Sequence, residues 1–276
     1  MAFLQAEQVA MDGAEPDGRG EDGRGRTRLS SVATAIRLLK AFGVEDRELG
    51  ISELAKRLGV SKSTVHRLAS TLLSEGLLEQ NPETDRYRLG VALFTLGTMV
   101  RRRMDLTAEA KIHLIELRAE VEENVRLAHL DGDKVLYVYD FESPHAVRLR
   151  SQTGLTKPAW CTAEGLVLLA MADEAARARA LAGPFEPAGP NATTDAAAVA
   201  ARLEEVARQG WAYEDQESEV GMRCVAAPIR AGDGRAMAAV SIAGPRARIR
   251  KRMLPQLVSR LTATAAEISA RFGWRG

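Results

Sequence analysis

The chain has 276 residues, of which 46% are hydrophobic and 27% are charged, which is typical of a soluble globular protein and leaves room for two domains plus tails. Two cysteines at this length exclude a disulfide framework, and their spacing predicts no metal site. The sequence contains neither a signal peptide nor an apolar run of about 18 residues, so we expect a cytoplasmic protein with no membrane partner.

Residues 1–27 are predicted to form a disordered tail, because they are rich in Gly, Asp, Glu and Arg and offer little for a core to bury. The net charge of +1 hides an uneven distribution, since residues 26–103 carry 14 Lys and Arg against 8 acidic residues. That excess is the charge expected of a DNA-binding module. We place this module in residues 28–90.

Three helices are predicted in the module. Apolar residues at helical spacing predict the first over residues 31–42, and Ser52 is suited to cap a second that runs to Leu58. Gly59 is suited to end that helix, because glycine adopts the left-handed backbone conformation of a helix end at the lowest energetic cost. Ser61 then caps a third helix with an apolar face. Two helices joined by a short glycine turn are typical of a helix-turn-helix.

The third helix begins with many hydrogen-bonding side chains. A recognition helix reads DNA with its N-terminal residues, and the backbone N–H groups there add positive potential. We therefore predict DNA binding by Ser61, Lys62, Ser63, Thr64, His66 and Arg67. The alternative is a solvated helix end on a domain that binds something else, and His66 is equally compatible with a packed surface histidine.

A wing is predicted after this helix. Residues 77–80 and 86–89 have the pattern of two short strands, separated by a turn at residues 81–85. Arg86 and Arg88 lie on one face of the second strand, and we expect them at a phosphate or in the minor groove. Tyr87 lies on the other face and is expected to pack against the helices.

Residues 91–104 are predicted to form a helix that links two domains. Its apolar residues Leu93, Phe94, Leu96 and Val100 need a partner, and a second copy of the same helix is the simplest one. We therefore expect a homodimer.

The remaining residues, 105–276, predict an antiparallel sheet with helices on its faces, which makes the fold α+β. Helices are predicted over residues 106–124, 162–171 and 254–272, with two alanine-rich helices before Trp211, and strands over 125–130, 135–141, 146–150, 224–229 and 236–242. No catalytic motif and no phosphate-binding loop occurs in a suitable context, so we expect neither an enzyme nor a cofactor. Cys161 and Cys224 are expected to be small buried residues.

Several fragments together resemble the IclR family of bacterial transcriptional regulators. They are "AIRLLKAF", "ISELAKRLGVSKSTVHRLASTL" and "DRYRLG" in the first half, and "GLTKPAWCTAEGLVLLA" and "GWAYEDQESEVGMRCVAAPIRAGDGRAMAAVSIAGP" in the second. The resemblance spans residues 29–272. It implies a winged helix-turn-helix joined to a PAS/GAF-like effector-binding domain, in a repressor or activator whose binding to an operator responds to a small metabolite. It also implies dimers that can pair into a homotetramer.

The resemblance also implies an effector pocket. Its residues here are Trp160, Ala163, Gly165, Leu166, Glu214, Asp215, Met222, Cys224, Ser241 and Ala243. Backbone N–H groups near Ala163 are suited to hold a carboxylate. The chain departs from the family pattern at three of these positions. Ala243 lacks a hydroxyl, Leu166 stands where a basic residue is common, and Trp160 is larger than the usual residue. Each change adds apolar surface or removes a polar contact. We therefore expect an organic acid with an apolar or aromatic body, although Trp160 is equally suited to plain core packing.

Two other function classes remain open from the sequence. One is an enzyme that carries a DNA-binding appendage, and the other is a winged helix that binds proteins.

Overall fold

A computed structural model of the chain describes residues 24–43, 45–103 and 106–276. They form two compact units, one ending at Arg103 and the other made by the chain after it. Of the predicted tail, residues 1–23 lie outside the described residues, and residues 24–27 belong to the first helix. The helix predicted as a linker is part of the first unit.

The first unit contains a helix-turn-helix followed by a two-stranded wing. Its elements are α1 (Arg24–Lys40), α2 (Ile51–Leu58), α3 (Lys62–Ser74), β1 (Leu78–Gln80), β2 (Tyr87–Leu89) and α4 (Val91–Arg103). The core joins the apolar faces of α1, α2 and α3 to Leu78 and Tyr87 of the wing. The predicted order of elements is confirmed, although α1 begins before residue 31.

Local capping explains where α2 and α3 begin and end. The cap of α2 is Gly50 rather than the predicted Ser52, because Gly50 N donates to Glu53 Oε2 at 2.8 Å and so starts the helix earlier. Gly59 has a φ of +68° and ends α2 in the left-handed region, as predicted. Ser61 caps α3, also as predicted.

The second unit is built on a six-stranded antiparallel sheet in the order β5-β4-β3-β8-β7-β6. The strands are β3 (Asn124–Asp131), β4 (Lys134–Phe141), β5 (Thr156–Pro158), β6 (Ala212–Asp215), β7 (Met222–Arg230) and β8 (Ala236–Pro245). The helices are α5 (Leu106–Val121), α6 (Ala163–Ala170), α7 (Glu174–Leu181), α8 (Ala196–Gln209) and α9 (Leu254–Arg271). None of the described helices is long and apolar enough to cross a membrane.

Alternating strand residues divide the second unit into two cores. Val125, Leu127 and Val240 pack on one face of the sheet with α5 and α9. Cys224 and Ala243 pack on the other face with α6 and α8. This layering of helices on both faces of an antiparallel sheet confirms the predicted α+β class.

The strand predicted over residues 146–150 is wrong. That segment is a loop whose polar groups are bound by side chains, since Glu142 accepts from Ser151 N at 2.9 Å and from Arg148 Nε at 2.7 Å. The edge strands β5 and β6 were not predicted, because each is at most four residues long and mostly polar.

Candidate DNA-binding surface and effector site

The N-terminal half of α3 presents one continuous polar face. Lys62, Ser63, His66 and Arg67 are exposed, whereas Val65 is fully buried in the core of the first unit. The four exposed residues recur at helical spacing, so they share one side of the helix. This side has the chemistry and the access that a groove-binding helix needs.

Three hydroxyls organise the first turn of α3. Ser61 Oγ accepts a hydrogen bond from Thr64 N at 3.2 Å and lies 2.9 Å from both Ser63 Oγ and Thr64 Oγ1. Ser61 therefore acts first as the helix cap. Ser61 and Ser63 are both exposed, so both hydroxyls are accessible to a phosphate.

Both wing arginines are already paired within the first unit. Arg86 Nη2 donates to Glu53 Oε2 at 2.6 Å and to the Glu48 carbonyl oxygen at 3.1 Å. Arg88 Nε donates to Glu79 Oε2 at 2.9 Å. Exposed ion pairs of this kind contribute little stability, so a phosphate can compete for both arginines, and their contact with DNA stays a prediction. Tyr87 is buried against the helices, as predicted.

The second candidate site lies on the sheet face beneath α6. Arg126 of β3 is opposite Ser241 of β8, and Cys224 of β7 is opposite Ala243 of β8. Residues paired across antiparallel strands share a face of the sheet. All four are fully buried, so the register gathers polar groups into an enclosed region.

The start of α6 approaches this region through tight backbone packing. Thr162 caps the helix, and its Oγ1 accepts from Gly165 N at 3.1 Å. A Cβ on Gly165 would lie 2.1 Å from the Ala159 carbonyl oxygen, so only glycine fits. The helix start predicted near residue 162 is confirmed.

A carboxylate of the chain itself occupies the N-terminus of α6. Ala163 N donates to Glu214 Oε2 at 3.1 Å, and Ser218 N donates to Glu214 Oε1 at 2.8 Å. Burial, and then the neighbouring Glu164 carboxylate, raise the pKa of Glu214 to about 7. Glu214 thus takes the Ala163 N–H that the sequence offered to an effector carboxylate, so that contact would require Glu214 to move and stays a prediction.

A second buried acid lies beside the first. Glu164 Oε1 accepts from Ser241 Oγ at 2.6 Å and lies 3.6 Å from Cys224 Sγ. Ligand atoms of Glu164, Glu214 and Cys224 lie within 4.8 Å of one another, a spacing that suits a cation. However, burial raises the pKa of the Cys224 thiol well above its ordinary value, which disfavours the thiolate that a metal prefers. That the protein binds no metal stays a prediction.

Arg126 places a buried basic side chain in the same region. Its side chain is fully buried, and its Nε donates to Asp140 Oδ2 at 2.9 Å. Its guanidinium lies 5.4 Å from the centre of the Tyr137 ring, within reach of a cation–π contact. The site therefore contains both signs of charge inside an apolar unit.

The remaining wall of the site is apolar. Trp160 packs edge-on against Phe185, with ring centres 5.1 Å apart, and belongs to the same core as Met222 and Ala243. This packing agrees with the alternative that Trp160 serves the core. It also gives a bound molecule an aromatic neighbour.

Most residues predicted for the effector pocket lie together on this face. They are Trp160, Ala163, Gly165, Leu166, Glu214, Met222, Cys224, Ser241 and Ala243, and all are buried. Asp215 does not join them, because it alternates with Glu214 along β6 and pairs with Arg223 at 2.9 Å. Its part in effector binding stays a prediction.

Three residues of the site were absent from the predicted set. Arg126, Asp140 and Glu164 are charged side chains in the otherwise apolar segments "NVRLAHL", "VLYVYDF" and "TAEGLVLLA". A charge inside such a segment indicates a buried, paired group. That signal was present in the sequence.

Two family models match the chain. One describes the IclR helix-turn-helix domain and matches residues 31–82, and the other describes the C-terminal domain of bacterial transcriptional regulators of the IclR type and matches residues 98–270.

Three known proteins show the extent of the similarity. The transcriptional regulators KdgR and XynR of Escherichia coli strain K12 are 34% and 32% identical over 89% of this chain, which spans 94% and 98% of their lengths. An IclR homologue from Microbacterium hydrocarbonoxydans, crystallised with 4-hydroxybenzoate, is 27% identical with a TM-score of 0.77, covering 88% of this chain and 98% of its own.

Proposed function

Because the chain belongs to the IclR family of bacterial transcriptional regulators, we propose that its α3 binds an operator and that a small effector in the second unit controls that binding. Its relatives carry the names of regulators rather than enzymes, so the protein is a transcriptional regulator and not an enzyme. The observation that carries the DNA-binding role is the exposed face of Lys62, Ser63, His66 and Arg67 on α3.

The proposed effector is a small organic acid with an apolar or aromatic body. Trp160, Met222 and Ala243 supply apolar contact for that body. The Microbacterium homologue binds 4-hydroxybenzoate, an aromatic acid, which supports the same class here. Because the side chains of the site are tightly buried, an effector must alter their packing. An effector that binds one packing of these side chains more tightly than another shifts the protein toward that packing, and this shift can control DNA binding.

Arg67→Ala tests the recognition helix. On an operator recovered by selection from random DNA, we expect binding to weaken by about 1–3 kcal/mol and sequence preference to relax, because arginine reads guanine through two hydrogen bonds. Fluorescence anisotropy with selected and scrambled duplexes measures both effects. Arg235→Ala removes an equally positive, exposed side chain from the second unit and should change neither.

Two outcomes would contradict this proposal. If Arg67→Ala binds both duplexes as the wild type does, α3 is not the reading element. If the wild type binds DNA without any sequence preference, the winged helix is better explained as a protein-binding module.

Ser241→Ala tests the effector site. Carboxylates that raise the melting temperature of the wild type would be selected from a panel that includes 4-hydroxybenzoate and then titrated calorimetrically. We expect an affinity loss of about 1 kcal/mol, because the variant loses the hydrogen bond by which Ser241 positions Glu164 in the wall of the site, with effector-free DNA binding intact. Ser259→Ala, at an exposed position of α9, is the control. If Ser241→Ala and Ser259→Ala bind the effector with equal affinity, the effector binds at another site.

A further inference from the structure

A buried arginine on β3 indicates how the acid group of the effector is held. We propose that Arg126 anchors the effector carboxylate through its Nη2 atom. This inference rests on the proposed function, because it names the residue that recognises the acid proposed there. Arg126 is fully buried and lies directly opposite Ser241 in the sheet.

Nη2 of Arg126 is a buried donor that lacks an acceptor. Nε of the same side chain donates to Asp140 Oδ2 at 2.9 Å, and Nη1 lies 3.8 Å from the Met222 sulfur, a weak acceptor. Nη2 has no hydrogen-bond partner among the described residues. A buried charged donor is costly to leave unpaired, and a carboxylate is the acceptor that guanidinium binds best.

Asp140 positions the Arg126 guanidinium but leaves its Nη2 donor without an acceptor. Besides accepting from Arg126 Nε, Asp140 Oδ2 accepts from Gln152 N at 2.9 Å. The other oxygen, Oδ1, accepts from Asn124 Nδ2 at 2.8 Å. The carboxylate is thus held by three donors, which fixes the guanidinium in place and leaves Nη2 available.

The other donors near Arg126 already have acceptors within the chain. Ala163 N donates to Glu214, and the Ser241 hydroxyl donates to Glu164, so neither is free for an incoming carboxylate. Among the residues whose burial the structure describes, Arg126 is the only buried basic one. Within this site, an anion therefore finds its favourable partner at Arg126.

The neighbours of Arg126 suit an acid with an apolar body. The Met222 sulfur lies beside Nη1, and the Tyr137 ring lies under the guanidinium. A carboxylate bound at Nη2 would therefore have apolar and aromatic surface beside it for the rest of the molecule.

The test compares acids with alcohols of the same body. Benzoate, phenylacetate and 3-phenylpropionate would be titrated calorimetrically beside benzyl alcohol, 2-phenylethanol and 3-phenylpropanol. The double variant Arg126→Gln/Asp140→Asn replaces the ion pair with amides of similar size, so no buried charge is left alone. We expect the dissociation constant of the best-bound acid to rise at least tenfold, with alcohol binding unchanged.

Matched variants keep the test decisive. Arg248→Gln/Glu123→Gln removes a different ion pair of the same unit, between an arginine and a glutamate, and should leave acid binding unchanged. If circular dichroism shows that the double variant does not fold, Arg126→Lys replaces it. That variant keeps the charge but loses the planar fork, so we expect weaker acid binding there as well.

Three results would overturn the role of Arg126. They are undiminished acid binding by the folded Arg126 variants, a wild type that binds alcohols as tightly as acids, and a wild type that binds none of the acids. The proposed function is judged separately, by operator binding. An alcohol that shifts operator binding would leave effector control standing while removing Arg126 from it.

Discussion

Replacing Glu214 with glutamine is expected to flatten the pH dependence of the protein's stability. Burial, followed by the Glu164 carboxylate, raises the pKa of Glu214 from 4.5 to about 7 in the folded chain. Between these values the folded state keeps a proton that the unfolded state has released. The contribution of Glu214 to the free energy of unfolding therefore falls as pH rises from 4.5 to 7 and stays low above pH 7. This free energy decreases by about 3 kcal/mol over that range.

Urea unfolding of the full chain, followed by tryptophan fluorescence at several pH values, measures this effect. The slope against pH is the readout, because an amide at position 214 also loses one hydrogen bond to Ala163 N or Ser218 N. Glu219→Gln, at a carboxylate that is 44% exposed beside Lys157, should keep the slope of the wild type. A Glu214→Gln slope equal to that of the wild type would mean that Glu214 is ionised in the folded protein throughout this range.

Placing aspartates at Phe94 and Leu96 is expected to dissociate the protein and to weaken operator binding strongly. Phe94 and Leu96 are 71% and 53% exposed, and Val91, Met99 and Val100 of the same helix are exposed too. A helix that is apolar on all sides is stable only when other surfaces cover it. We expect the same helix of a second copy to cover it. Operator binding then weakens on dissociation, because a single winged helix contacts only half of a two-fold operator.

Analytical ultracentrifugation and operator titration at equal concentrations measure both consequences. Thr95→Asp adds charge at an exposed position between the two without removing apolar surface, so it should affect assembly much less. A wild type that sediments as a monomer at micromolar concentration would remove this explanation for the exposed helix face.

Local signals predicted the first unit well. Gly59 has the left-handed φ that its place after α2 required, and Ser61 forms the cap that its place before α3 required. Both depend only on neighbouring residues, so spacing and residue type were sufficient. The ion pairs of Arg86 and Arg88 were not predictable in this way, because their acids lie on other elements.

The second unit shows the limit of sequence patterns more clearly. Alternation predicted the central strands, and the resemblance brought together nine buried residues that share one sheet face. It did not reveal that Glu214 occupies the start of α6, since this contact joins residues 51 positions apart. The charge of Arg126 within an apolar segment indicated a buried group, but only the strand register places it opposite Ser241.

The same strand register has a consequence for how the second unit is made. Its central pair joins β3 to β8, so Arg126 meets Ser241 only after more than a hundred intervening residues have been synthesised. Long-range pairing of this kind folds slowly, because loop closure precedes most of the stabilising contacts. On the ribosome, the helix-turn-helix is complete long before this sheet can close. A chain truncated before β8 would expose the apolar edge of β3 and is expected to aggregate.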